Sequence, residues 1–308
     1  MVFHVFPEDK MHFKWDNSIE PALNVSSGDT VVYNLKDVTD GQITPSSSHD
    51  VIERMDWDRV YPLAGPLSIK EAMPGDVLEA EILDIHTKGW GWSAIIPGFG
   101  LLEEFNIPKL KIWDLSNGDF TYFKKGIKIP LDPFCGTMGV APSDREIREV
   151  MPPGRHGGNM DIRHLTKGSK LLLPVQEDGA LFSVGDAHAA QGDGEVCVTA
   201  IEAPMDVSIR FKLNKKMKIN TPHFITPGPL TSKYDKAGYY ATVGISNDIM
   251  EAAQKATSSL LDYVSTTWEL ERWEAYMLCS IVADLKISEI VDKPNYIVSA
   301  YLPLSIFE

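Results

Sequence analysis

The sequence predicts a mainly β protein. A β-sandwich or barrel-like body over residues 1–205 carries the functional loops, and an appended α+β part over residues 206–308 contains two helices, packed on the same body as one compact unit. Three observations support this. Through the first two hundred residues, short β-branched and apolar runs alternate with Gly, Pro and Asp punctuation. Residues 77–85 alternate apolar and polar, as a half-buried strand does. After Asp248 the apolar period changes from two to that of a helix.

Taken in order, Thr30–Leu35 follows the turn Ser27-Gly28-Asp29, and the 77–85 strand follows Met73-Pro74-Gly75-Asp76. Residues 169–175 and 196–201 are further strand candidates. Ile249, Ala252, Ala253, Ala256, Leu260 and Leu261 recur at helical spacing, which predicts a helix from Asp248 to about Tyr263. Thr266-Thr267-Trp268-Glu269 matches a capping box and predicts a second helix from there to about Leu285. Residues 287–291 read as a returning strand.

The 308 residues, 44% hydrophobic and 23% charged, exclude a disordered or collagen-like chain. The length suffices for a core without disulfides or a structural metal. Twenty-nine Lys and Arg against 43 Asp and Glu give a net charge of −14. That charge argues against nonspecific nucleic-acid binding and against anionic lipid, so neither nucleic acid nor membrane is an expected partner. Cys135, Cys197 and Cys279 are widely spaced with no CxxC, which indicates a reducing compartment. The first residues have no basic stretch followed by an apolar one, and the expected location is cytoplasmic.

Two glycine-rich segments concentrate polar groups for which a plain β fold has little use. In Gly185-Asp186-Ala187-His188-Ala189-Ala190-Gln191-Gly192-Asp193-Gly194-Glu195, Asp186 and His188 would share one face of an extended strand. A carboxylate and an imidazole so placed make half of a divalent-metal site. Glu195 could then take a proton from an activated water, with Asp193 as the alternative base. In Pro153-Gly154-Arg155-His156-Gly157-Gly158-Asn159-Met160-Asp161, His156 and Asp161 flank a Gly-Gly pair. Asn159 there, like Gln191, offers a donor and an acceptor to an amide-sized ligand. The stretch 162–184 has hairpin length, so antiparallel strands are expected to bring the two loops together.

Plain turn chemistry is the competing reading of these Asp and Gln residues. Cys135, before Gly136, is a rival nucleophile that would need a nearby base and a lowered thiol pKa, whereas burial would leave it inert. Ser48-His49-Asp50 reads as a solvated loop that could add a contact. Lys212, Lys215, Lys216 and Lys218 read as a solvated strand face. HExxH, Walker A, GxSxG and the dinucleotide fingerprint are absent.

At these segments the sequence resembles the acetamidase/formamidase family of amide hydrolases, and it does so over nearly the whole chain. The likeness includes Gly65-Pro66, Pro74-Gly75-Asp76-Val77-Leu78 and Gly139-Val140-Ala141-Pro142. It continues through Leu173-Pro174-Val175 and Gly179-Ala180-Leu181 to Ala275-Tyr276 and Asp284-Leu285. Its specific part is HGGNxD at 156–161 followed by GDxHxxxGDGE at 185–195. The resemblance implies hydrolysis of short aliphatic amides to a carboxylate and ammonia, on a mainly β fold with a bound divalent metal. Tyr61, before Pro62, departs from the polar Asn or His of the family pattern and implies a different substrate pocket.

The expected mechanism is metal-assisted. An ion held by His156, Asp161, Asp186 and His188 polarises the carbonyl, Glu195 moves the proton, and Asn159 and Gln191 hold the amide. Two histidines lean toward zinc, while carboxylates and amides would suit calcium or magnesium. The rivals are a thiol amidase using Cys135 and a non-catalytic metal- or small-ligand-binding protein. A homo-oligomer is expected; Trp268, Trp273 and Tyr276 would serve either a partner copy or the core.

Overall fold

The computed structural model describes residues 2–143 and 147–308. Two six-stranded sheets build the body. One runs in the order Phe3–Val5, Thr30–Leu35, Met205–Asn214, Val77–Thr87, Lys170–Pro174 and His223–Ile225. The other runs Gly157–Asn159, Phe134–Gly139, Phe182–His188, Leu63–Ile69 and Met11–His12, with Leu23–Val25 also paired to Leu63–Ile69. Their inner faces share one core, in which the rings of Phe182 and Phe211 meet edge to face at 4.9 Å between centroids. The mainly β architecture with two C-terminal helices is as the sequence predicts.

The two central strands of the first sheet bury alternate residues. Val77–Thr87 and Met205–Asn214 each present a buried row and a wetter row. Met205–Asn214 pairs along its length with Val77–Thr87 and also with Thr30–Leu35. The expected boundary at 205/206 therefore falls at the head of a central body strand, and the α+β part begins only after residue 225.

Three further expectations are corrected. Residues 196–201 form no strand. Val198 takes a left-handed φ of 75°, and the segment turns to meet its neighbours by isolated bridges at Glu202. Helix α1 spans Ile249–Thr267, one turn past Tyr263, and α2 spans Arg272–Val282. The capping box of α2 is Glu271 with Glu274, because Thr266 is consumed by the end of α1. The returning strand is Asp284–Glu289, paired to Tyr296–Pro303, which in turn pairs with Tyr239–Ser246.

Helix α1 lies on that three-stranded sheet through Ala252, Ala256, Leu260 and Val264, the apolar stripe read from sequence. The approach is close: a Cβ on Gly244 would sit 1.9 Å from the Ala252 carbonyl oxygen. Helix α2 is buried from Glu274 to Val282. Tyr276 is fully buried with its hydroxyl on the Leu102 N–H, and Trp268 stacks on Phe307 at 3.6 Å. These aromatics thus serve the chain's own packing. Among the described residues, no helix is long and apolar enough to cross a membrane.

Candidate active site

Phe134–Gly139 and Phe182–His188 are buried on both faces. Strands so placed usually read as continuous aliphatic runs, yet these carry Gly136, Thr137, Ser183, Asp186 and His188. The Phe134–Gly139 strand brings the two glycine loops together, since Thr137 pairs with Asn159 on one side and Gly185 on the other. The 162–184 stretch is not a hairpin: Lys170–Pro174 belongs to the opposite sheet. Gly136 has to be glycine, because a Cβ there would lie 2.4 Å from Asp161 Oδ1 and 3.0 Å from Asp186 Oδ2.

His188 is the hub. Gln191 Nε2 donates to the Asp161 carbonyl at 2.9 Å, which turns Gln191 Oε1 toward His188 Nδ1 at 2.8 Å. Only the ring can donate in that contact, so Nδ1 carries the hydrogen and Nε2 faces the carboxylates. From Nε2, Glu202 Oε2 is 3.1 Å away and Asp186 Oδ1 is 3.2 Å. Glu195 Oε1 approaches Nδ1 to 3.9 Å. Ligand atoms of Asp161, Asp186 and His188 lie within 4.8 Å of one another, as do those of His188, Glu195 and Glu202.

Four carboxylates around one imidazole in a dry site cannot all be ionised without a cation or protons. Burial, then the charge of Asp186, pushes Asp161 up to about 7. Burial and then Asp161 hold Glu195 well above the usual carboxylate range, and burial also raises Glu202. Burial opposes a charged His188, but Glu202 and Asp186 outweigh it and keep its pKa well above that of a free imidazole. Asp161 Oδ1 is buried with no hydrogen-bond partner among the described residues, and Glu202 Oε2 is buried beside His188 Nε2. Buried carboxylate oxygens converging on one imidazole are a donor set that a divalent cation fits.

The cluster opens on a cavity with about 40 Å³ of free space, walled by Val38, Met55, Tyr61, Trp92, Ile96 and Thr199. Trp57 and Phe99, stacked at 5.7 Å, stand at its mouth. Five lining residues, Tyr61, Asp161, Asp186, Glu195 and Val198, have left-handed φ, out of ten non-glycine residues that do among the described residues. Such backbone strain gathers where a structure must aim side chains.

The sequence-predicted residues separate into two groups. Asp161, Asp186, His188 and Glu195 converge on the cavity. His156 does not: it is 2% exposed, lies edge-on to Trp15 at 4.8 Å, and its Nε2 has no partner. Asn159 accepts from Thr137 Oγ1 at 2.7 Å, and Gln191 braces His188; both stand behind the cluster, off the cavity wall. Asp193 also lies off the wall. Its carboxylate is 3.8 Å from His164, its backbone N–H donates to Asp284, and burial and then Asp284 raise its pKa. His49 Nδ1 accepts from the Leu110 N–H, remote from the cluster.

Glu202 is the residue sequence reasoning missed. Its signal was a lone charge in the apolar run Ala200-Ile201-Glu202-Ala203. Its backbone is clamped to Trp92 by two 2.8 Å hydrogen bonds. The C-terminal part braces the same loop from behind: Gly192 N–H donates to the Ser280 carbonyl, and Asp284 forms a buried ion pair with Arg163.

The placement of His156 has a measurable consequence. Burial, with the charge of Arg148, lowers its pKa to about 4, whereas an unfolded chain takes a proton near 6.5. Its contribution to stability is therefore complete above about pH 6.5 and lost as pH falls toward 4, by at most about 3 kcal/mol. Denaturant unfolding at pH 7.5 and 4.5 should show a smaller acid loss in His156→Phe than in wild type; equal losses would contradict this placement.

A sequence model of the Acetamidase/Formamidase family matches residues 5–151 and 144–308. The formamidase of Methylophilus methylotrophus is 27% identical over an alignment of 370 residues, covering 98% of this chain and 90% of that protein. Among solved structures, a gamma lactamase from Delftia acidovorans superposes with a TM-score of 0.91 at 27% identity, over 99% of this chain and 93% of that one. An acetamidase from Bacillus halodurans gives a TM-score of 0.69 at 32% identity, over 99% and 98%.

Proposed function

Because the chain belongs to the acetamidase/formamidase family of amide hydrolases, we propose that this centre cleaves short primary aliphatic amides to a carboxylate and ammonia, assisted by a divalent cation. The observation that carries this reading is the buried carboxylate–histidine cluster opening on a cavity of about 40 Å³. At roughly 10–15 Å³ per water-sized volume, that space holds three or four heavy atoms, the size of formamide or acetamide. Asp161, Asp186, His188 and Glu202 would hold the cation. One imidazole among carboxylates departs from the two-histidine set expected from sequence, and it suits zinc or a harder ion.

When bound, such an ion supplies the positive charge that polarises a carbonyl and acidifies a water. The remaining work falls to the protein's own groups. Gln191 fixes the tautomer and aim of His188. Glu195, its pKa held well above the usual carboxylate range by burial and then Asp161, accepts the proton of the attacking water as the water oxygen bonds to the acyl carbon. It returns that proton to nitrogen as the C–N bond breaks, so that amide and water become carboxylic acid and ammonia.

Ammonia release from formamide, acetamide and propionamide tests the reading. Turnover is expected on the smallest amides and should fall once the acyl group outgrows the cavity. Silence on all three, from folded protein supplied with divalent cations, would favour a binding protein without catalysis. The thiol rival is disfavoured because Cys135 is buried and its thiol is pushed up to about 12 by burial. Cys135→Ala should retain most of the turnover, and loss of activity in a folded Cys135→Ala protein would revive the thiol mechanism.

A further inference from the structure

A second compartment lies against the catalytic cavity. It opens to solvent, offers about 270 Å³, carries Lys14, Asp58 and Glu149 on its lining, and is otherwise walled by Phe13, Val150 and Pro152 together with Trp57, Val60, Tyr61 and Met151. The last four also line the inner cavity. They form the partition between a small charged chamber and a larger, mainly apolar one.

Tyr61 is the fixed post of that partition. Its φ of 64° is a conformation that bulky side chains rarely adopt, and it is held by a 2.8 Å hydrogen bond from the Tyr61 N–H to the Val38 carbonyl. The ring packs between two separate apolar clusters, one around Val38, Met55 and Trp92, the other formed by Trp15, Leu63 and Val150. Among the described residues, none hydrogen-bonds its hydroxyl, so the side chain is positioned by packing and backbone alone. Met151, more exposed at 36%, lines both spaces from the irregular segment that follows the isolated Trp15–Arg148 bridge.

We propose that Tyr61 is the specificity-determining residue that sets the acyl-length limit of this amidase: its ring, with Met151, stops an acyl chain from passing out of the catalytic cavity into the apolar compartment. The inference rests on the amidase reading above and deepens it. Amides of three or four heavy atoms are accommodated beside the cluster, and each further methylene presses on the ring. The outer chamber has room for a longer unbranched acyl chain once the ring is gone.

The test is kcat/KM across formamide, acetamide, propionamide, butyramide and hexanamide for wild type, Tyr61→Phe, Tyr61→Ala and Met151→Ala. Wild type should fall about tenfold or more per methylene beyond the limit. Tyr61→Phe keeps the ring and should keep the ranking, which separates the ring's bulk from its hydroxyl. Tyr61→Ala should raise hexanamide relative to acetamide by about tenfold or more. A folded Tyr61→Ala protein with the wild-type order would overturn the proposal. If Tyr61→Ala does not fold, Met151→Ala opens the partition from its other side, and an unchanged order there overturns it equally. Wild type inactive on every amide is a different outcome: the amidase reading itself fails, and this inference falls with it.

Discussion

Replacing Glu195 with Gln should lower kcat for amide hydrolysis by about 10³-fold, within the range of 10²–10⁴ that a positioned general acid–base contributes, and leave the fold intact. Glu195 is the carboxylate of the cluster that approaches His188 from its Nδ1 side, whereas Asp186 and Glu202 meet Nε2. In the proposed division of roles Glu195 exchanges protons while Asp161, Asp186, His188 and Glu202 hold the cation. Gln has the same shape and cannot carry a proton from water to nitrogen. Stability should hold or rise, because the substitution removes one of several carboxylates that raise one another's pKa. An ammonia assay beside a thermal melt reads both quantities. A folded Glu195→Gln enzyme with wild-type kcat would remove Glu195 from the mechanism.

His188→Ala should have the larger effect on the protein as a whole. His188 is 1% exposed and, among the described residues, is the positive group that meets both Asp186 and Glu202. Deleting one partner of a buried ion pair costs about 3–5 kcal/mol, because the other charge is left uncompensated. Gln191 also loses the partner that orders it. The expected result is an unfolding free energy from denaturant titration lowered by that amount, with cation binding and turnover both lost. A His188→Ala protein as stable as wild type, with its cation retained, would show that the imidazole is not the hub. The comparison is best made at neutral pH and in metal-free buffer, so that the cation does not mask the loss.

Much of the fold was legible because one face of many strands is wet. Thr30–Leu35 and the strand from Val77 alternate visibly, and Lys170–Pro174 follows a turn. The two strands that matter most, Phe134–Gly139 and Phe182–His188, are buried on both faces and so carry no period of two. They announced themselves only by polar residues and glycines in unlikely company. The site was half legible for a related reason. Asp161 and Glu195 lie in glycine-rich loops and Asp186 and His188 at the end of the Phe182–His188 strand, and their residue types and spacing identified them.

His156 was indistinguishable from His188 at that level. Both follow glycine-rich punctuation, and only the pairing of Gly157–Asn159 with Phe134–Gly139 turns His156 toward Trp15. The role of Glu202 and the packing of Tyr61, which the sequence marked only as a departure from the family pattern, were out of reach because their partners are distant in sequence. Glu202 is set by its bridge to Trp92, and Tyr61 by a hydrogen bond to Val38 and a left-handed backbone. Phe99 stands at the cavity mouth, stacked on Trp57.

The most direct test of the central claim is ammonia release from acetamide, or from formamide if that amide is turned over faster, measured with the metal content of the same sample. The protein is assayed as purified, after chelation and dialysis, and after divalent cations are restored one at a time. The account predicts activity that falls with bound metal and returns with at least one cation, while the fold persists throughout. Full turnover in folded protein shown to hold no divalent metal would contradict it.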